Sequence, residues 1–599
     1  MRVARRPVEP SQDTWRRRLH ADGVARWLVP GCYLVGAVLL TWRLWVDPAS
    51  RAQLLGNGVS ADIRLFSWFL RYDATAVAHG HLPALVTTAV NAPEGINLMW
   101  NTALLLPGIV LAPVTLLAGP MVTLTVLLTL GFAGSATALF LVLRRWECGT
   151  GFAALGGAVY GFSPALVDTG VGHYHLQFAV LPPLIIDALL RIVTGRGRTV
   201  RTGIWLGLLA AVQIFIGEEL LVDTAIAGVL LVVVLAASRP RSVPSRAGPA
   251  AAGLGTAVVA ALVVSGYSLW VQFRGRLTEH GSPWSTAHFR NHPADFVVPP
   301  GGMLFHSQAT AAALAARPPR LAEYLAYLGW PLLVVLVICA VWFWRDIRVR
   351  AAAVTWAVLE VFSLGTHNAL FGRFRYPAAW LPWSGLQHLP VLSQLLVDRL
   401  SILADGAAAA VLAFSLDRAW TAMPHAPAWR RGLPAAVAVL AVLPIVPLPL
   451  RAGDITPVPA GWQTAFARLR LAPGARVLML PANSEAMGWQ AATGQPISLI
   501  GGYCIAPTPS GQARGCATAK TATGKYLAAL QAGAAQAKAP TRARIAADFG
   551  YWRPAAVVAV TRRGSRLAGF LTRILGPPAV EAGRVLGWHV RHGPLRLQH

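Results

Sequence analysis

The sequence predicts an all-α polytopic membrane protein of about 11–13 transmembrane helices with a small C-terminal extracytoplasmic α/β domain. Three observations carry this. Of 599 residues, 55% are hydrophobic and only 13% charged, with a mean hydropathy of +0.51, whereas a soluble domain carries about 25% charged residues. Apolar runs of roughly 16 to 23 residues, long enough as helices to cross about 30 Å of hydrocarbon, recur about twelve times. Beyond residue 450 these runs stop and short β-rich stretches alternate with helical ones. The excess of 52 Lys and Arg over 25 Asp and Glu, a net charge of +27, would suggest a nucleic-acid partner for a soluble chain. In a membrane chain it first sets topology, and no nucleic acid is expected.

The runs are 28–46, 103–118, 121–143, 152–167, 178–193, 203–220, 222–238, 251–270, 328–344, 351–364, 400–416 and 433–450. Arg2, Arg5, Arg6, Arg16, Arg17, Arg18 and Arg26 precede the first, so the positive-inside rule assigns residues 1–26 to the cytoplasm as a basic tail. The long apolar run with no small-residue cleavage site is unlike a signal peptide. Arginines recur in the short loops at 196–201, 239–246, 345–350 and 418–431. Alternation then makes 27–450 the membrane domain, with outer loops 47–102, 168–177, 271–327 and 365–399, and puts 451–599 outside. An inside N-terminus and an outside tail need an odd number of crossings. One run between 101 and 166 therefore does not cross: either 103–118 dips, or 152–167 is re-entrant.

In the tail, 476–480, 497–500, 555–560 and 585–590 read as strands, and 462–469, 521–534, 542–549 and 567–575 as helices. Cys504 and Cys516, twelve apart, are spaced for a disulfide in an oxidising compartment or can remain as two thiols.

Ionisable residues in a membrane protein mark its sites, and the 47–102 loop is the first place to look. Residues 61–79 mix Ile63, Phe66, Phe69, Leu70 and Val77 with Asp62, Arg64, Arg71 and Asp73, the pattern of an amphipathic helix lying in the membrane plane. Asp62 and Asp73 are eleven apart, about three turns, and share a face. A carboxylate here can meet a lipid-linked phosphate and a polar acceptor; an Asp before an apolar-periodic run is also ordinary cap chemistry. Positive charge for a phosphate comes from Arg64, Arg71, Arg274, Arg276, Arg290, Arg373, Arg375 and Arg399, of which Arg399 lies at a span boundary, where snorkelling from a helix end is the plainer role. His173 and His175 form an H-x-H, with His79 and His81 a second, suited more to acceptor binding than to a metal that needs further ligands. Glu218, Glu219 and Asp223 lie between two runs and face protein, water or the outer surface, with Glu218 and Glu219 read as cavity-lining. Asp187, Glu360 and Asp405 pair with arginines such as Arg191 or Arg399. The 271–327 loop is rich in His, Arg and Pro and is placed to act as a lid. Tyr174, Trp68, Trp100, Trp284 and Trp383 can stack on sugars or form an interfacial belt.

The strings SADIRLFSWFLRYD, NAPEGINLMWN, YGFSP, GHYHLQF, FIGEE, EYLAYLGWPLL and LPWSGLQHLP resemble an actinobacterial family of polytopic membrane proteins, itself similar to the GT-C superfamily of polyprenyl-phosphate-sugar-dependent glycosyltransferases. The resemblance covers most of the chain and implies a multi-pass enzyme of the bacterial plasma membrane. It implies an inverting transfer from a polyprenyl-phosphate-linked sugar, within membrane lipid, to an envelope glycan, lipid or protein. GT-C proteins carry one or two acids early in the first outer loop. Here Asp62 alone matches, as catalytic base, and a divalent cation is possible but not required by the pattern. Asp73, His173, His175, Glu218, Glu219, Arg276, Arg290 and Arg399 are the expected substrate-binding residues. One base suffices for such a transfer, because a phosphate leaving group is stable as an anion.

No G-x-x-x-x-G-K-[ST], HExxH or CxxC string occurs, which argues against an ATP-driven pump or a zinc protease. A lipid or solute transporter and a non-catalytic envelope scaffold are the alternatives. A transporter would show matched, Gly- or Pro-broken spans in two halves, and the sequence shows no such symmetry.

Overall fold

In a computed structural model the described residues are 12–590 apart from 57, 285, 310–311, 313–322, 367–368, 371–373, 376, 378–379, 390, 517–520 and 535–537. Seven helical stretches are long and apolar enough to cross a membrane: Gly23–Trp45, Pro120–Arg145, Thr150–Thr169, Glu218–Ser238, Pro240–Arg274, Val397–Thr421 and Ala428–Ile445. The protein is a multi-pass membrane protein. Four further runs form shorter helices, Leu181–Thr194, Thr199–Ile214, Trp330–Trp342 and Ile347–Ser363, of 14, 16, 13 and 17 residues. At about 1.5 Å per residue they reach roughly 20 to 26 Å, short of the ~30 Å core. Among the described residues the polytopic body thus holds seven helices of spanning length and these four shorter ones on predicted runs, in keeping with the expected fold class.

The ambiguous pair of runs differs in the way it breaks. The 103–118 run is two short helices, Leu105–Val110 and Ala112–Ala118, with Leu104 in the left-handed region at φ 53° before the first. Neither piece reaches across hydrocarbon. In 152–167 the break is milder: Ser163 caps the helix Pro164–Thr169 by accepting from the Leu166 amide, with Pro164 at the first helical position, the usual start chemistry. The YGFSP string is thus a joint between two stacked helices. The preceding helix, Thr150–Gly161, packs backbone to backbone on Pro120–Arg145. A Cβ on Gly161 would fall 2.4 Å from the Ala136 Cβ, and one on Gly157 would fall 2.6 Å from the Ala136 carbonyl oxygen. Small residues give this close approach in membranes.

The helix predicted to lie in the membrane plane is instead a core element. Ala61–Ala78 buries Ile63, Leu65, Phe66, Trp68, Phe69, Leu70 and Asp73, because the tail covers it. Arg64 donates to Thr456 Oγ1 at 3.1 Å, Trp68 Nε1 to Gln490 Oε1 at 2.8 Å, and Arg71 Nε to the Ala491 carbonyl at 2.8 Å. These positions fall on one helical face, and that face meets the tail helix Ser484–Thr493.

The tail builds a five-stranded mixed sheet in the order Val580–Ala582, Val585–His589, Ala556–Val560, Arg476–Leu480, Ser498–Leu499. Ala556–Val560 runs parallel to Arg476–Leu480 and antiparallel to Val585–His589. Strand alternation sends Leu478, Leu480, Val557 and Ala559 to one face, under Phe549, Trp552, Phe570 and Leu571. Val477, Met479 and Val558 go to the other, into the core shared with the membrane helices. The first loop is stitched to the tail as well: Arg51–Leu55 pairs antiparallel with Ala452–Asp454, and the Ala92 amide donates to the Leu499 carbonyl at 2.9 Å. Cys504 and Cys516 are disulfide-bonded.

Gly161→Val should overpack the Ala136 contact and cost about 1–3 kcal/mol, read as a lower thermal unfolding midpoint of the purified protein. Gly151→Val, at a position with open space, should not.

Candidate active site

Asp62 occupies the first turn of Ala61–Ala78, where the helix N-terminus favours a negative charge. Ser60 caps the helix, accepting from the Asp62 amide at 3.2 Å while its hydroxyl lies 3.1 Å from Asp62 Oδ2. The other oxygen, Oδ1, accepts from the Tyr503 hydroxyl at 3.0 Å. Burial, then the charge of Asp62, pushes the Tyr503 hydroxyl well above its ordinary range, so it stays a donor. Gly172 closes the third side: a Cβ there would lie 3.0 Å from Ser60 Oγ and 3.1 Å from Asp62 Cβ. The carboxylate is half-buried at the junction of the first loop, the 168–177 loop and the tail.

The 168–177 loop leads from Gly172 to a second, buried set of charges. Arg399, 6% exposed, grips Glu323 through Nε at 3.1 Å and NH2 at 2.8 Å, and Glu219 through NH1 at 2.6 Å. His173 Nδ1 lies 3.7 Å from Glu323 Oε1, and His175 Nε2 lies 3.9 Å from Glu219 Oε2. Glu218 and Glu219 form the first turn of Glu218–Ser238, where the helix dipole again favours anions. Gly217 makes room for His175, since a Cβ would sit 2.9 Å from the His175 Cβ. Burial would raise the Glu323 carboxyl, but the Arg399 guanidinium holds it below the usual range. Burial pushes His175 down, which leaves it neutral at pH 7. One turn into the same span, both Asp223 oxygens are buried without a hydrogen-bond partner among the described residues.

The expected site residues therefore divide. Asp62, His173, His175, Glu219 and Arg399 are connected through the 168–177 loop and the Arg399 network, with Glu218 beside them. Asp73 does not join Asp62: it is fully buried against Gly108, where a Cβ would fall 2.1 Å from Asp73 Oδ2. Arg276 is exposed, its carbonyl accepting from Asn97 Nδ2 at 3.2 Å. Arg290 donates to Thr366 Oγ1 at 3.2 Å and lines a separate polar cavity of about 270 Å³ with Gln387, His388 and Ser393. Arg399 is not a snorkelling or free phosphate-binding group, because two carboxylates already occupy it. Arg373 and the Arg375 side chain lie outside the described residues. Of the other acids, Asp187 does pair with Arg145 at 2.8 Å and Arg191 at 3.9 Å. Glu360 instead accepts from Ser401 Oγ at 3.1 Å, and Asp405 is in no ion pair among the described residues. Two residues escape the sequence reading. Glu323 stands in the EYLAYLGW string as an acid directly before an apolar run, a signal that could have been weighted; Tyr503 has none.

Among the described residues no three His, Cys, Asp or Glu side chains converge as a metal ion would require. What Asp62 can do chemically is accept a proton. A carboxylate has about four lone-pair sites, and hydroxyl donors take two of them.

This architecture, a helical membrane body whose first long loop carries an acid and whose tail folds over it, is a GT-C-like polytopic fold. It is similar to the cryo-EM structure of the arabinofuranosyltransferase AftD from Mycobacteria, with a TM-score of 0.52 at 15% identity over 95% of this chain and 40% of that one. The chain thus spans less than half of AftD. The crystal structure of the Archaeoglobus fulgidus oligosaccharyltransferase with Zn and sulfate matches at TM-score 0.47 and 11% identity over 89% of this chain and 67% of that one. ArnT from Cupriavidus metallidurans, bound to undecaprenyl phosphate, matches at TM-score 0.38 and 11% identity over 98% and 100%. The AftD likeness carries the fold; the other two are too distant to add to it. No established protein family matches the chain, and no curated protein is significantly similar to it.

Two tests of the site's electrostatics follow. Arg399→Gln leaves Glu219 and Glu323 buried without a counter-charge and should cost about 3–5 kcal/mol, seen as a large drop in unfolding midpoint that an added Glu323→Gln partly restores. Burial raises Asp73 well above the ordinary carboxylate range. The native state therefore keeps a proton that the unfolded chain loses above about pH 4, and stability falls as pH rises toward the folded value. Asp73→Asn should be more stable than wild type at pH 8, with the difference vanishing toward pH 4.

Proposed function

We propose that the chain is a membrane glycosyltransferase of GT-C type, moving a sugar from a polyprenyl-phosphate carrier to a cell-envelope acceptor at the outer face, with Asp62 as general base. The observation that carries this is the Asp62 carboxylate itself. It is half-buried, oriented by Ser60 and Tyr503, and engaged by no cation among the described residues, so its remaining lone pairs are available to an acceptor hydroxyl. The proton passes from that hydroxyl to Asp62 as the acceptor oxygen attacks the anomeric carbon from the face opposite the phosphate. The bond from the anomeric carbon to the phosphate oxygen breaks, and its electron pair leaves with the phosphate. Inversion follows from the single displacement. Tyr503 is a positioning residue that fixes the carboxylate.

Arg399 is committed to Glu219 and Glu323 and so does not take the leaving phosphate. The Arg399 network holds His173 and its loop against Asp62. Residues 1–26 are assigned to the cytoplasm, 27–450 to the bacterial plasma membrane and 451–599 to the outer face. The orientation is supported by the position of Arg145, Arg239 and Arg348 at the helix ends away from Asp62. A proton-coupled transporter is the second reading, favoured by the buried, unpartnered Asp223.

Membranes carrying the protein are given labelled polyprenyl-phosphate sugars and transfer to envelope material is measured. Asp62→Asn should lower kcat about 10²–10⁴-fold. Tyr503→Phe, which removes one hydrogen bond to a charged group, should lower it about tenfold. Full transfer by Asp62→Asn would sink the enzyme reading as framed; movement of the lipid or solute that depends on Asp223 would favour the transporter.

A further inference from the structure

A large cavity lies at the other end of the helices. It holds about 970 Å³, the top of the roughly 300–1,000 Å³ range of small-molecule sites. Its shaft is apolar, walled by Leu139, Ile186, Leu231, Leu254, Leu403 and Phe414 from five helices. Its mouth is ringed by Arg196, Arg239, Arg246 and Arg348. Arg239 follows the last turn of Glu218–Ser238, twenty residues and so about 30 Å from Glu219. The mouth therefore opens on the membrane face opposite the Asp62 site.

The arginines at the mouth are not equivalent. Arg348 is paired with Asp346 at 3.0 Å and stacks over Phe414, so it is a fixed wall. Arg246 donates to the Thr194 carbonyl, and Arg196 stacks on Trp146 at 4.7 Å. Neither they nor Arg239 form an ion pair with any carboxylate among the described residues, and all three are exposed. Three guanidinium groups in no ion pair among the described residues thus converge from the ends of three different helices on the opening of an apolar shaft, where Glu147 is the one acid among the lining residues.

We propose that this cavity binds an anionic phospholipid, its acyl chains in the shaft and its phosphate among Arg196, Arg239 and Arg246. The charge pattern selects the occupant. A zwitterionic lipid carries its own cation beside the phosphate, whereas an anionic headgroup leaves all three arginines to pair with it. Basic pockets between membrane helices hold acidic headgroups for this reason. The apolar shaft offers water too few hydrogen-bond partners to be its filling. The site is independent of the role given to Asp62.

The full-length protein in detergent is incubated with phosphatidylglycerol, phosphatidylcholine or polyprenyl phosphate, and retained lipid is read by native mass spectrometry. Phosphatidylglycerol should be retained in preference to both others. The R196Q/R239Q/R246Q variant should reduce that retention about tenfold or more, with an unfolding midpoint in lipid-free detergent equal to wild type. Ala407→Phe, which puts a ring into the shaft, should reduce retention with the arginines intact. Raised ionic strength should weaken retention by the wild type, a reading that needs no variant. Equal arginine-dependent retention of phosphatidylcholine, an arginine-dependent preference for polyprenyl phosphate, or retention insensitive to salt and to the arginines would each overturn the proposal.

Discussion

Arg399, at the start of one span, meets the start of a second at Glu219 and the end of the 271–327 loop at Glu323, and these two carboxylates satisfy its guanidinium. Taking these charges out of water costs several kcal/mol per ion. The offset is geometric: Glu323 accepts two parallel bonds and Glu219 a third, the fork that suits guanidinium and not ammonium. No apolar contact could fix three chain segments to the same point with comparable directionality. The 168–177 loop depends on it, because His173 and His175 lie against the same two carboxylates, and that loop in turn closes over Asp62 through Gly172.

The second constraint is the burial of Ala61–Ala78 between the tail and the membrane body. A helix with four charged residues is an unusual core element. It is accommodated because Arg64 and Arg71 find partners in the tail, Asp62 faces the junction, and Asp73 is held by burial in its uncharged form. The tail sheet contributes by having two different faces, one packed on its own helices and one continuous with the membrane body. Tail and body therefore share a core, although the composition change at residue 450 suggests two separate units.

Much of this was legible in the sequence because hydrocarbon imposes a one-dimensional signal. Every apolar run became helical, and Arg476–Leu480 emerged as a strand within the predicted bounds. Of the two doubtful runs, 103–118 breaks into two short helices and 152–167 at a capped joint. The polar segment SEAMGWQAAT gave no such signal, yet as the helix Ser484–Thr493 it changes the setting of the Asp62 helix from membrane surface to protein interior. The helix start at Asp62 was legible from its position before an apolar-periodic run. The partner of Asp62 was not, and neither was Glu323 as the partner of Arg399 across 76 positions. Pairings of that kind are decided by tertiary packing, which leaves no periodicity to read.

The bond between Asp62 and Tyr503 spans 441 positions, so the carboxylate is synthesised long before the hydroxyl that orients it. Contacts of such separation form late, after the loop they close has been ordered. A chain with its helices already inserted thus carries the acid but not its complete setting. The setting of this carboxylate is complete only when the tail has folded onto the first loop.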